Sequence, residues 1–192
     1  LGAATALLLG AAGADVRLTY ARGAGDAAEV VSRIQAAGGR ATSRHLDITA
    51  PFSAVSVCDG GWMPTQMWYF ATPPIVAGVP GQFDDSLYQR YRDFYCDGLR
   101  DVVSSLKRLS GSLSLVVVPS SVFVDERPAD FAEYASAKAD SESELHGLES
   151  AELRVVHPRL VRADTDQTLS LLPVPRTDPL TVMSEAMRDV FS

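Results

Sequence analysis

The feature that most constrains this chain is a change of hydrophobic period that recurs from one end to the other. "ADVRLTY" (14–20) alternates Val16, Leu18 and Tyr20, the period of two of a half-buried strand. "GDAAEVVSRIQAAGG" (25–39) instead sets Ala28, Val31, Ile34 and Ala37 at helical spacing, stopped by two glycines. The switch repeats. "ATSRHLDIT" (41–49), "QMWYFA" (66–71), "SLSLVVV" (112–118) and "AELRVVHP" (151–158) read as strands. Residues 1–13, 83–110, 129–150 and 177–191 read as helices. The run in 112–118 ends without alternation, as a strand buried on both faces does. Strands alternating with helices predict the α/β class, a doubly wound parallel sheet with helices on both faces. Residues 51–66, broken by Pro51, Gly60, Gly61 and Pro64, carry no readable period.

The 192 residues suit one domain, 1–192, and 46% hydrophobic content is enough for a sizeable core. A formal net charge of -7 without a Lys/Arg cluster argues against a nucleic-acid partner. Cys58 and Cys96 lie far apart and read as free thiols of a reducing, cytoplasmic compartment. His45, His146 and His157 are scattered, so no metal is expected. No apolar run reaches the roughly 18 residues of a spanning helix, and no membrane partner is expected. "LGAATALLLGAAG" lacks a basic leader and reads as a core helix. It starts at Leu1 in mid-helix, so the chain is expected to be trimmed or part of something larger, with its first strand missing.

In doubly wound sheets, ligands bind past the carboxyl ends of the strands. "TYARG", "LDIT", "FATPP" and "PSSVF" all fall there. Ser121 follows one such strand, and Tyr134 comes 13 residues later, early in the next helix. Lys138 is one turn beyond Tyr134 on the same helical face. A free tyrosine has a pKa of about 10, and a nearby ammonium lowers it. A serine hydroxyl that holds a carbonyl oxygen, beside a phenol that gives its proton, can protonate an oxyanion as hydride arrives. Ser120 is the competing serine.

Ser121 followed by Y-x-x-x-K, on such a chain, resembles the short-chain dehydrogenase/reductase family, of Rossmann-type fold. Leu1-Gly2 resembles the end of its glycine-rich turn, "LDIT" its L-D-[VI]-T, and "VVHPRL" its V-x-P-G segment. The resemblance implies that Tyr134 is the proton donor, that Lys138 binds the nicotinamide ribose and lowers the Tyr134 pKa, and that Ser121 holds the carbonyl. It also implies that Gly2, Asp47, Ile48, Ala71 and Pro158 line the cofactor. NAD-preferring relatives end the "TYARG" strand with an acid. Here Arg22 is available instead for a 2′-phosphate, which implies NADP(H).

The chain departs from that family in three places. "YFAT" (69–72) stands where N-N-A-G is usual, Tyr95 stands in the place of the catalytic asparagine, and Pro158-Arg159 replaces Pro-Gly. Without the first strand the pyrophosphate turn is not expected to form, and these residues alone would bind cofactor poorly. Asp140, Glu142, Glu144 and Glu149 are costly to bury unpaired and predict a solvated helix face. That face points to a monomer, or a domain of a multidomain enzyme, rather than the family's tetramer. The expected activity is reduction of a small-molecule or acyl-type carbonyl, with Phe123, Leu169, Leu171 and Leu172 suggesting an apolar compound. The alternatives are a degenerate structural or regulatory module, and a dehydratase or epimerase on the same fold.

Overall fold

A strand in the middle of a doubly covered sheet must be apolar on both faces, and β4 (Leu115–Val117) meets that demand. Val116 and Val118 pack with Val103 and Leu106, while Leu115 and Val117 face Val190 on the other side. The computed structural model describes residues 1–51, 56–109, 111–161 and 177–192. β4 lies between β3 (Gln66–Trp68) and β6 (Arg154–Val156), with Val116 opposite both Met67 and Val155. β1 (Asp15–Tyr20) pairs with β2 (Arg40–His45) from Asp15↔Arg40 to Tyr20↔His45. All these pairs are parallel.

The helices divide between two faces. α1 (Gly2–Ala11), α2 (Ala24–Ala36) and α7 (Pro179–Phe191) cover one. α3 (Asp85–Arg92), α4 (Leu99–Leu109) and α6 (Ala132–His146) pack together on the other. The expected α/β class with a parallel sheet is what forms. Among the described residues, β1 and β3 are not paired with each other. α1 packs across that interruption: Ala6 joins Val16 of β1, and Ala4 joins the cluster of Trp68 and Phe70.

Three features near the site were not legible in the chain's periodicity. A short second ladder, β5 (Ser120–Ser121) with β7 (Arg159–Leu160), continues past β4 and β6. Pro119 and Pro158 cause the break, because proline has no N–H to give a ladder. A one-turn helix, α5 (Phe123–Glu126), follows β5. The expected helix 83–110 is three pieces: α3, a π-helical turn (Asp93–Gly98) and α4. Its start is set by Asp84, whose carboxylate accepts from Ser86 N at 2.8 Å and Leu87 N at 3.1 Å. Gly98 closes the π turn where no side chain fits. A Cβ there would lie 2.9 Å from the Asp93 carbonyl oxygen and 2.9 Å from Ile48 Cδ1. No helix among the described residues is long and apolar enough to cross a membrane.

Candidate active site

Ser121, Tyr134 and Lys138 come together at the carboxyl end of β4. The 12 residues between Ser121 and Tyr134 fold back through α5 and a 3-10 turn (Ala129–Phe131). Phe123 and Phe131 close this hairpin, ring centroids 5.2 Å apart, and Phe123 meets Tyr134 edge-on at 6.2 Å. The Ser121 side chain lies close enough to Tyr134 to act on its phenol, and its oxygen accepts from Phe123 N at 3.2 Å. Ser120, the competing serine, turns the other way and donates to Glu142.

Tyr134 is 8% exposed and sits edge-on to Tyr91 and Tyr95, which stack on each other. Burial pushes its phenol up to about 12, against the opposing pull of nearby Ser121. This corrects the expectation that Lys138 lowers it. The Lys138 amine points elsewhere, donating to the Pro119 carbonyl at 2.9 Å and lying 3.9 Å from the Tyr95 ring centroid. Helical spacing put the two residues on one face, but it could not say where a four-carbon stem would aim. Burial lowers the Lys138 amine to about 8, opposed by Glu142.

Tyr95 is carried into this site by the π turn, a local defect that often marks functional positions. Its hydroxyl bonds that of Thr72, which links the helix to the end of the "YFAT" segment. Burial raises its phenol well above the ordinary value. Tyr69, also of that segment, is buried and donates to the Phe94 carbonyl at 2.7 Å. Tyr69 and Thr72 of "YFAT" therefore support the π turn, while Phe70 packs against α1.

Sequence reasoning gave Glu133, Glu142 and Arg159 no role in the site, although Glu142 was read as part of a solvated acidic face and Arg159 as a departure from Pro-Gly. Glu133 is 2% exposed and accepts from Asp84 N at 2.8 Å, so it ties the start of α6 to the start of α3. The acidic stretch after Tyr134 also differs from expectation. It is not merely solvated: Asp140 and Glu144 pair with Arg92 at 3.1 and 2.6 Å, and Glu144 also binds Arg100. These cations lie some 44 to 52 positions away in the chain, so their pairing was invisible locally.

The other candidates line the strand ends. Arg22 is exposed after β1, near enough to Asp47 after β2 to act on its carboxylate. Asp47 accepts from Thr49 N at 2.9 Å and Thr49 Oγ1 at 2.7 Å, which hold it below the ordinary carboxylate range. Ile48 packs into the main core, as does Ala71 after β3. Gly2 begins α1, where an added Cβ would meet Phe70 at 3.4 Å. The Pro158 carbonyl accepts from Ser120 N at 2.9 Å. Leu169, Leu171 and Leu172 lie outside the described residues.

No protein-family model and no curated protein matches the sequence. Solved structures do match. The angucycline C-6 ketoreductase LanV with bound NADP is 20% identical, with 98% of this chain and 82% of that chain covered and a TM-score of 0.81. A short chain dehydrogenase from Burkholderia cenocepacia J2315 in complex with NADP is 22% identical, covering 99% of this chain and 84% of that one, TM-score 0.80. FolM alternative dihydrofolate reductase 1 from Brucella suis, in complex with NADP, is 16% identical over 100% of this chain and 86% of that one, TM-score 0.79. At these identities the likeness is one of fold: the chain has the doubly wound α/β architecture of these reductases.

Proposed function

We propose that the protein is an NADP(H)-dependent oxidoreductase that reduces a carbonyl group, with Tyr134 as proton donor. The observation that carries this reading is buried Tyr134, with Ser121 close enough to act on its phenol and Lys138 one helical turn on, at strand ends of a fold shared with NADP-bound reductases. Ser121 would hold the substrate oxygen. Tyr134, kept as a neutral phenol by burial, would pass its proton to that oxygen as charge develops. Lys138 would bind the nicotinamide ribose.

The residues present fit NADP(H). Arg22, exposed and beside Asp47, offers a planar fork to a 2′-phosphate. Asp47 is oriented by Thr49, Ala71 is small, and Gly2 opens a ten-residue helix. NADPH when bound would supply hydride; positioning and proton supply fall to this chain. Two buried free cysteines favour a reducing, cytoplasmic setting. The substrate would be a small apolar carbonyl compound, met by Phe123.

Tyr134→Phe tests the reading. It should cut NADPH-dependent carbonyl reduction about a hundredfold or more with NADPH binding kept within a few-fold. Unchanged turnover would sink it. A second reading, a module that binds nucleotide weakly, is favoured by Phe70, which lies against Gly2 at the start of α1. Calorimetric titration with NADPH separates them, since absence of measurable binding supports the module.

A further inference from the structure

Beneath Lys138 lies a polar cluster that the proposed proton transfer leaves unexplained. Glu142 follows Lys138 by one turn of α6, on the same face. One of its oxygens accepts from Ser120 Oγ. The other takes Arg159 Nη2 at 2.9 Å. Arg159 is fixed on two further sides, by Asp125 Oδ2 at 3.0 Å from Nε and by the Ser121 carbonyl at 3.3 Å from Nη1. Ser120 and Arg159 are themselves ladder partners in β5 and β7. Both grips on Glu142 are thus set by backbone register, and its side chain is 20% exposed. A carboxylate engaged at both oxygens has little freedom to turn to solvent.

Lys138 needs such a neighbour, because its ammonium has been taken out of water. The ammonium meets the Tyr95 ring and the Pro119 carbonyl, and Cys96 of the π turn, His157 after β6 and Glu142 one turn along its own helix are close enough to act on its charge. Burial keeps Cys96 a neutral thiol, pushed up to about 12. Burial also lowers His157, whose ring nitrogens find no partner in hydrogen-bond geometry among the described residues, so it is neutral at neutral pH. Among the described residues of this set, Glu142 is the one carboxylate.

We propose that Glu142, held by Ser120 and Arg159, is a positioning residue for Lys138: a built-in counter-charge that replaces lost solvent and keeps the ammonium in place for the site. The proposal rests on the reading that Lys138 serves cofactor binding and proton transfer. It extends that reading to a network that links the serine strand, α6 and the segment after β6.

The sequence makes the test direct, since the chain has two lysines, Lys107 and Lys138, and Lys107 is exposed. Protein labelled with carbon-13 at lysine Cε gives two resonances, assigned by loss of one in Lys138→Met. In Glu142→Gln the Lys138 midpoint should fall by about one pH unit, with Lys107 unmoved. Ser120→Ala, which removes one grip, should give a smaller fall in the same direction and serves if Glu142→Gln does not fold. The alkaline limb of kcat should move down with the midpoint. An unmoved Lys138 midpoint in a folded variant overturns the proposal. A moved midpoint with an unmoved kcat limb overturns the positioning role. Absence of turnover by the unaltered protein, with the midpoint still moved, overturns the reductase reading and leaves the pairing of Glu142 with Lys138 standing.

Discussion

The Lys138 ammonium lies over the face of the Tyr95 ring, 3.9 Å from its centroid. The π turn makes this contact possible, because it swings Tyr95 inward between Tyr91 and Tyr134. A cation over an aromatic face is attracted by the ring quadrupole, and more strongly where water is excluded. The contact, with the Pro119 carbonyl, explains how the fold tolerates a buried amine.

That tolerance has a cost that varies with pH. The Lys138 amine drops from 10.5 to about 8 on folding, worth about 3 kcal/mol. A depressed lysine binds protons less well when folded. The cost is therefore present in full below about pH 8 and relieved as pH rises from there through 10.5. Lys138→Met removes the cost but also the bond to Pro119 and the ring contact. A net gain of about 1–2 kcal/mol is expected at neutral pH, shrinking towards pH 10. Urea denaturation at the two pH values measures it.

Tyr95→Phe separates the ring from the hydroxyl. The phenyl face remains for Lys138, while the bond to Thr72 is lost. Stability should fall by about 1 kcal/mol. The alkaline limb of activity should stay where it is. Tyr95→Leu, which removes the face as well, should shift that limb to lower pH. Thermal melts and a pH profile of both variants check this.

Gly98 is required by close approach rather than by backbone conformation. Its neighbours are the Asp93 carbonyl and Ile48 Cδ1, each 2.9 Å from an added Cβ. The Ile48 end can shift, but the carbonyl cannot without unwinding the π turn. Gly98→Ala should cost about 1–3 kcal/mol in denaturant unfolding and displace Tyr95 from Lys138.

Arg22 gives a test of cofactor choice. It is exposed and serves no packing role, so Arg22→Glu should leave the melting temperature nearly unchanged. The ratio of kcat/KM for NADPH over NADH should fall about tenfold or more, as a fork for phosphate becomes a repulsive charge. Steady-state kinetics with both cofactors reads the change.

The main helices and strands announced themselves through a local period, so the alternating α/β order was legible from the chain alone. The Tyr134–Lys138 spacing was legible for the same reason, since a helix puts such residues on one face. Boundaries near the site were less so. The break between β4 and β5 depends on where Pro119 and Pro158 fall opposite each other, and the π turn has no signature in hydrophobic periodicity.

Sequence by itself determined the order of the main elements, the apolar centre of the sheet and the Tyr134–Lys138 spacing on one helix face. Only the tertiary structure decided which serine faces Tyr134, where the Lys138 amine aims, and that the acids after Tyr134 bind Arg92, Arg100 and Arg159. The physical reason is range. Period and helical spacing are set by neighbours three or four residues away, whereas the direction of a buried charge is set by whatever distant segment the fold brings within a few ångströms.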